Sequence, residues 1–116
     1  MSGPIDKSLR ERAARVIPGG MYGHQSAASL PANYPQFFAR AEGPWLWDVD
    51  GNRYLDFMCA YGPQLFGYAH PGIDAAYADQ MRVGDAMTGP SALMVELAEA
   101  FTGMVSHATW AMFCKN

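Results

Sequence analysis

From Trp45 to Phe57 bulky apolar residues alternate with polar ones about Asp50-Gly51, the period-two signature of two strands joined by a tight turn. With Gln36 to Ala41 ahead of them, Trp45 to Val49 and Arg53 to Phe57 predict a small antiparallel sheet, Pro44 standing at a strand start where its missing N–H costs little. Trp45, Trp47 and Val49 share one face and are expected to be core. Upstream, Leu9, Ala13, Val16 and Ile17 recur at helical spacing behind Asp6, a residue type that caps helices, while Lys7, Arg10, Glu11, Arg12 and Arg15 face away. Pro18-Gly19-Gly20 ends that helix. Downstream, Pro71 opens a helix running through Ile73, Ala76, Tyr77 and Met81 to Gly84. Ser91 begins another, with Leu93, Met94, Leu97, Ala98, Phe101 and Met104 on one side. Thr109 to Cys114 is a short apolar run that predicts a buried strand.

Two stretches have no regular period. Met21 to Pro35 is rich in Gly, Ser, Asn and Pro and predicts an ordered loop or a flexible arm. Cys59 to Pro71 interleaves Gly62, Pro63, Gly67 and Pro71 with aromatic residues, so its backbone must turn repeatedly with large rings held close, as in a segment that lines a site. His70 is expected to satisfy backbone groups at the start of the following helix rather than to hold a ligand. The chain thus divides into a helix and loop arm at 1–35, a hairpin sheet with its Gly-Pro loop at 36–70, and two helices leading to a strand at 71–116.

Composition sharpens this picture. Half of the 116 residues are hydrophobic and only 16% are charged, against about 25% in ordinary globular domains. Eight methionines, six tyrosines, six phenylalanines and three tryptophans imply apolar area covered by another chain or another part of the same one. A net charge of −3 and a pI near 5.4 supply no general attraction for nucleic acid, so no nucleic-acid partner is expected. No apolar run nears the roughly 20 residues that span a bilayer, and Met1 to Ile17 is charged rather than signal-like, so no membrane partner is expected. Cys59 and Cys114 lack a zinc-binding spacing and are expected as buried reduced thiols, which suits a cytoplasmic protein. Asp48 and Asp50 beside Gly51 are too few for an oxygen cage, so a solvated turn and no metal are expected. Glu96 and Glu99 read as the wet side of their helix rather than as an acid–base pair.

The run WDVDGNRYLDF followed by AYGPQLFGYAHPGI resembles the N-terminal part of class III, fold-type I pyridoxal-phosphate (PLP) aminotransferases, particularly the branch containing glutamate-1-semialdehyde aminomutase. Pro18-Gly19-Gly20, Met87-Thr88-Gly89-Pro90 and the stretch from Trp110 to Asn116 extend the resemblance over nearly the whole chain. It implies an α/β fold, α+β in this portion, with a small antiparallel sheet, flanking helices and the first strand of the large domain. It also implies that Tyr61 is the aromatic residue flanking the substrate, and that Met87, Thr88 and Gly89 approach the neighbouring subunit's pocket in an obligate homodimer. Asn116 stands just before the turn and helix that hold the cofactor phosphate in this family, so PLP would be bound mainly by residues beyond 116. Aminomutase relatives carry an arginine for the substrate carboxylate after the Gly-Gly turn. Ser26 occupies that position here, which removes bidentate carboxylate recognition and leaves Tyr22, His24 and Gln25 as polar candidates alongside simple loop packing.

Amino transfer requires a lysine that forms an imine with the cofactor aldehyde. Lys7 lies on the exposed face of the first helix and Lys115 precedes the phosphate turn, so neither stands at the Schiff-base position. This portion therefore holds no catalytic residue and alone is expected to be inactive. Its expected contribution is substrate-pocket wall and dimer interface in a transaminase or aminomutase acting on a small-molecule amine or amino acid, with the remaining cofactor-domain polypeptide as partner. Two alternatives stand beside that reading: a non-catalytic dimerisation or interaction module, and a PLP-dependent racemase or decarboxylase of the same fold.

Overall fold

The alternating stretch folds as three antiparallel strands in the order β1-β2-β3, with β1 at Phe38–Glu42, β2 at Trp45–Asp48 and β3 at Arg53–Leu55. The structure is a computed structural model describing residues 2–23 and 25–114. Helices α1 (Pro4–Val16), α2 (Pro71–Val83) and α3 (Ala92–Met104) flank the sheet in sequence, with short 3-10 turns at Pro18–Gly20, Ala27–Ser29 and Cys59–Tyr61. The chain forms two compact units, one ending at Ala75 and the other beginning at Ala76.

The β2–β3 hairpin pairs Trp45 with Leu55, Leu46 with Tyr54 and Trp47 with Arg53. Its turn is wider than the Asp50-Gly51 dipeptide predicts. Asp48 N donates to Asn52 O at 3.0 Å, so Val49, Asp50 and Gly51 make the loop, and of these only Gly51 takes a positive φ, 86°. A three-residue loop closing on a left-handed glycine is the next most favoured hairpin connection, and it aims Asp50 away from the ladder.

That aim decides how α1 is held. Asp6 does not cap the helix; Gly3 is the N-cap residue and no side chain of its own caps it. Asp50 does the work from 44 to 47 residues away, its carboxylate accepting from Gly3 N at 3.1 Å, Ile5 N at 2.9 Å and Asp6 N at 3.0 Å. These are amides that a helix start leaves without intrahelical partners, and an anion there also suits the positive end of the helix dipole. Asp6, freed from capping, is fully buried and accepts from Ser2 Oγ, Arg10 Nε, Gln36 N and Phe37 N, tying the helix to the chain entering β1. Arg10 accordingly turns inward to Asp6 instead of facing away. Nor is Asp48 a solvated turn residue. It is 2% exposed and accepts from the amides of Asp50 and Asn52, from Asn52 Nδ2 and from Tyr54 OH.

The tryptophan face departs from expectation as well. Trp45 and Trp47 are half-buried, with the guanidinium of Arg53 over Trp45 at 4.3 Å and that of Arg40 over Trp47 at 4.4 Å. Cation–π stacking covers this face in place of a second apolar layer, each pair contributing about 0.5–1 kcal/mol at such exposure. The opposite face carries Phe38, Leu46, Asp48 and Tyr54, with the Phe38 and Tyr54 rings edge to face at 6.3 Å.

In the second unit α3 starts after Ser91 as its spacing predicts, although the Ser91 hydroxyl makes no capping bond. Glu96 and Glu99 are exposed, and so is the apolar side, with Leu97 at 55% and Met104 at 79%. Ala13 and Pro35 are buried apolar side chains among the described residues, while the largest fully buried side chains are Asp6 and Asp48. Thr109 to Cys114 carries no strand ladder here. A buried parallel strand exists only through neighbours on both edges. Cys59 and Cys114 are free thiols, yet half-buried and exposed rather than buried. No helix among the described residues is long and apolar enough to cross a membrane.

Two outcomes follow for the intact protein. Asp50→Ala is expected to cost about 1–2 kcal/mol in thermal unfolding and to remove hydrogen-exchange protection from the Ile5 and Asp6 amides; unchanged protection contradicts the cap. For Asp6, burial raises the carboxyl pKa, but hydrogen bonds from Ser2, the Gln36 and Phe37 amides and Arg10 outweigh it and hold the group below 3.8. Asp48 is lowered likewise, burial being overcome by Asn52, Tyr54 and the Asp50 amide. A depressed folded pKa contributes stability that is present in full above the unfolded value and lost as pH falls through the folded one. The helix–hairpin junction is therefore expected to hold down to about pH 4 and to open below it, read by amide exchange at Phe37 and Asn52.

Candidate functional site

The segment after β3 is shaped by an unusual run of backbone angles. Cys59, Ala60, Tyr61 and Gly62 all have positive φ, at 48°, 48°, 62° and 113°. Three consecutive residues with side chains in the left-handed region cost roughly 1–2 kcal/mol each, so surrounding contacts must hold the turn. Asp56 supplies one end, its Oδ1 accepting from Met58 N at 2.8 Å and its Oδ2 from Tyr68 OH at 2.7 Å. Tyr68 is itself fixed by a two-way bridge to Gly43, Gly43 N to Tyr68 O at 2.8 Å and Tyr68 N to Gly43 O at 2.9 Å. Gly67 makes this approach possible, because a Cβ there would meet Gly43 O at 3.0 Å and its φ is 83°.

The strap so formed faces the 21–36 loop across a cleft of about 310 Å³, floored by Phe38 and Leu46 of the sheet. Tyr22, Gln25 and Tyr34 line one side, and Asp56, Tyr61 and Tyr68 the other. Gln25 Nε2 donates to Tyr61 OH at 2.8 Å, joining the two sides. A neighbouring apolar cleft of about 430 Å³ shares Tyr34, Phe38, Leu46 and Asp56 as its wall. The Tyr68 hydrogen bond, ahead of the opposing effect of burial, lowers the Asp56 carboxyl, which is therefore ionised at neutral pH. Burial and the same bond push Tyr68 up to about 12, keeping its phenol protonated.

The residues singled out from the sequence fall in three places. Tyr22 and Tyr61 line this cleft with exposed rings, 71% and 68%, and Gln25 joins them through its amide. Met87 and Gly89 belong to the second unit, where they line a separate groove of about 220 Å³ with Gln80 and Leu93, and Thr88 lies exposed between them. His24 and Asn116 lie outside the described residues. His70 is at the start of α2, its Nδ1 accepting from Ile73 N at 3.3 Å, which is the backbone role expected for it. Ser26 accepts from Ala28 N at 3.3 Å and caps the 3-10 turn after it. Sequence reasoning missed Asp56 and Tyr68, whose only link is a contact between side chains 12 residues apart in a stretch without period.

No group of three or more His, Cys, Asp or Glu side chains fit to hold a metal occurs among the described residues. Nor does the cleft fit the PLP phosphate, since the charge in its described lining is the Asp56 carboxylate. What the arrangement offers is a shaped aromatic wall with hydroxyl and amide groups set into it.

The family model for class-III aminotransferases matches residues 27–109. The chain is 62% identical over 115 residues to an aminopentol aminotransferase of Sphingopyxis macrogoltabida, a match covering 99% of this chain and 27% of that protein. It is 42% identical over 105 residues to a glutamate-1-semialdehyde 2,1-aminomutase of Dichelobacter nodosus, covering 90% of this chain and 25% of that protein. Among solved structures, the FumI protein of a Sphingopyxis species in its PLP internal aldimine form gives a TM-score of 0.91 at 62% identity, over 98% of this chain and 28% of that one. The chain spans about a quarter of the length of the relatives it matches. The three α-helices and small antiparallel sheet of its described residues are those of one portion of a fold-type I PLP transferase. On the family match and on these relatives, the chain belongs to the class-III aminotransferases.

Proposed function

We propose that this chain builds one wall of the substrate pocket in a PLP-dependent transaminase that moves an amino group from a small amine or amino acid. The observation that carries the reading is the convergence of Tyr22, Gln25 and Tyr61 on one cleft, with the Tyr61 ring presented by a backbone held left-handed. Strained backbone of this kind persists where its surroundings over-determine it, and it clusters at ligand clamps and active sites. PLP supplies the electron sink for amino transfer when bound, and further polypeptide supplies its lysine and phosphate site. The described residues exclude water from one side of the substrate and orient its non-reacting end.

Transamination is favoured over aminomutation by the 62% identity to an aminopentol aminotransferase, against 42% to an aminomutase, and by Ser26 serving as a turn cap. The exposed apolar sides of α2 and α3, Tyr77 and Met81 on one and Leu97 and Phe101 on the other, fit surfaces that the cofactor domain and a second subunit of a homodimer would cover. Met87, Thr88 and Gly89 are proposed to belong to that subunit boundary. Free thiols at Cys59 and Cys114 suit a cytoplasmic setting.

In the intact protein loaded with PLP, an amine donor is expected to convert the cofactor to its amine form, read by absorbance, whereas residues 1–116 alone transfer nothing. A racemase or decarboxylase would leave the cofactor aldehyde in place, and a non-catalytic module would show no cofactor band at all. Tyr61→Ala is expected to change the kcat/KM ratio between two amine donors by about tenfold with PLP content unaltered. An unchanged ratio contradicts the pocket-wall role.

A further inference from the structure

The transaminase reading makes Tyr61 part of a pocket wall and leaves open what keeps its ring there. The ring is 68% exposed, so its direction follows from the backbone that carries it. That backbone is the tip of a loop whose two ends are tied to one place. At the entry, Asp56 N donates to Pro44 O at 2.9 Å; at the exit, Gly43 and Tyr68 exchange amide-to-carbonyl bonds at 2.8 and 2.9 Å. Gly43 and Pro44 are the adjacent residues that turn β1 into β2, so residues 57–67 leave and return to the same corner of the sheet, as an Ω-loop does. Across the neck of this loop Tyr68 OH donates to Asp56 Oδ2 at 2.7 Å, while Asp56 Oδ1 accepts at 2.8 Å from the amide of Met58, the residue before the left-handed run.

We propose that Asp56 and Tyr68 are a pair of positioning residues: by closing the neck of this loop they fix the direction of the Tyr61 ring, and through that ring the shape of amine the cleft accepts. Consecutive left-handed residues with side chains persist only where their surroundings over-determine them. Inside the turn, Tyr61 N donates to Met58 O and Gly62 N to Cys59 O, both at 2.9 Å, but these are local bonds that a relaxed loop could exchange for water. The Asp56 carboxylate couples them to the sheet, because one of its oxygens holds the amide at the start of the run and the other holds the residue at the loop's far end. Gly67 lets the neck close. A Cβ there would meet Gly43 O at 3.0 Å and Gly43 C at 3.1 Å, and its φ of 83° suits glycine. In this division of labour Tyr61 meets the substrate, whereas Asp56 and Tyr68 act on it through Tyr61.

This role rests on the pocket-wall reading of Tyr61, and a double-mutant cycle separates the two. In the intact PLP-loaded protein the quantity read is the ratio of kcat/KM for hexylamine to that for 2-phenylethylamine, donors that differ in the shape of the far end and not in its charge. Tyr68→Phe removes one hydroxyl and keeps the ring. It is expected to shift this ratio about threefold, the size of one lost hydrogen bond, and to speed amide exchange at Tyr61 and Gly62 with PLP content unaltered. In the Tyr61→Ala background the same substitution is expected to leave the ratio where Tyr61→Ala alone puts it, because residues that act through one another are not additive. Gly67→Ala strains the neck from a separate groove of about 160 Å³ and is expected to shift the ratio in the same direction as Tyr68→Phe. Faster exchange with an unmoved ratio overturns the positioning role, and so does an equal shift with and without the Tyr61 ring. A ratio unmoved by Tyr61→Ala itself overturns the pocket-wall reading beneath it, and conversion of neither donor, with the cofactor band present, overturns the transaminase reading.

Discussion

Three carboxylates of one small region hold the first unit together, and each does so by accepting backbone amides. Asp50 takes the first amides of α1, Asp6 takes those entering β1, and Asp48 takes those of the hairpin turn. An amide buried without a partner costs more than a made hydrogen bond returns, so these links are constraints on the chain path as much as sources of stability. They set where α1, the 21–36 loop and the hairpin lie with respect to one another. The cleft is the space left between that loop and the strap leaving β3.

The strap obeys the same logic. Asp56 and the Gly43–Tyr68 bridge pin its two ends, and the left-handed turn between them is the conformation that satisfies both. The left-handed turn carries Tyr61, whose ring lines the cleft. In this unit polar groups do the positioning and aromatic rings do the lining.

The elements with regular period were legible from the sequence alone. The three strands, α1, α2 and α3 all lie within a few residues of where alternation, helical spacing, Pro71 and Ser91 put them. The segment from Cys59 to Pro71 was legible as a lining segment because Gly and Pro among aromatics exclude both periods. The carboxylates were not. Asp50 looked like a turn residue because its partners are more than 40 positions away, and Asp6 looked like a cap because local pattern cannot tell a cap from an anchor. The tryptophans looked like core because spacing gives the face but not what covers it, which here is Arg40 and Arg53. Thr109 to Cys114 has the composition of a strand, and composition does not supply the neighbours that make one. Within the site, Tyr22, Gln25 and Tyr61 were visible as polar or aromatic residues in irregular stretches, whereas Asp56 and Tyr68 acquire meaning only once Gly43 and Gly67 come together.

The central claim is that the cleft bounded by Tyr22, Gln25 and Tyr61 is a substrate wall held in shape before substrate arrives. A crystal structure of the intact protein with PLP and a slowly reacting amine bound would test it most directly. The account predicts the far end of that amine between Tyr22 and Tyr61, the Gln25–Tyr61 hydrogen bond retained near 2.8 Å and the turn at 59–62 still left-handed. An amine bound elsewhere, with the cleft filled by other polypeptide or Tyr61 turned away from Gln25, would contradict it.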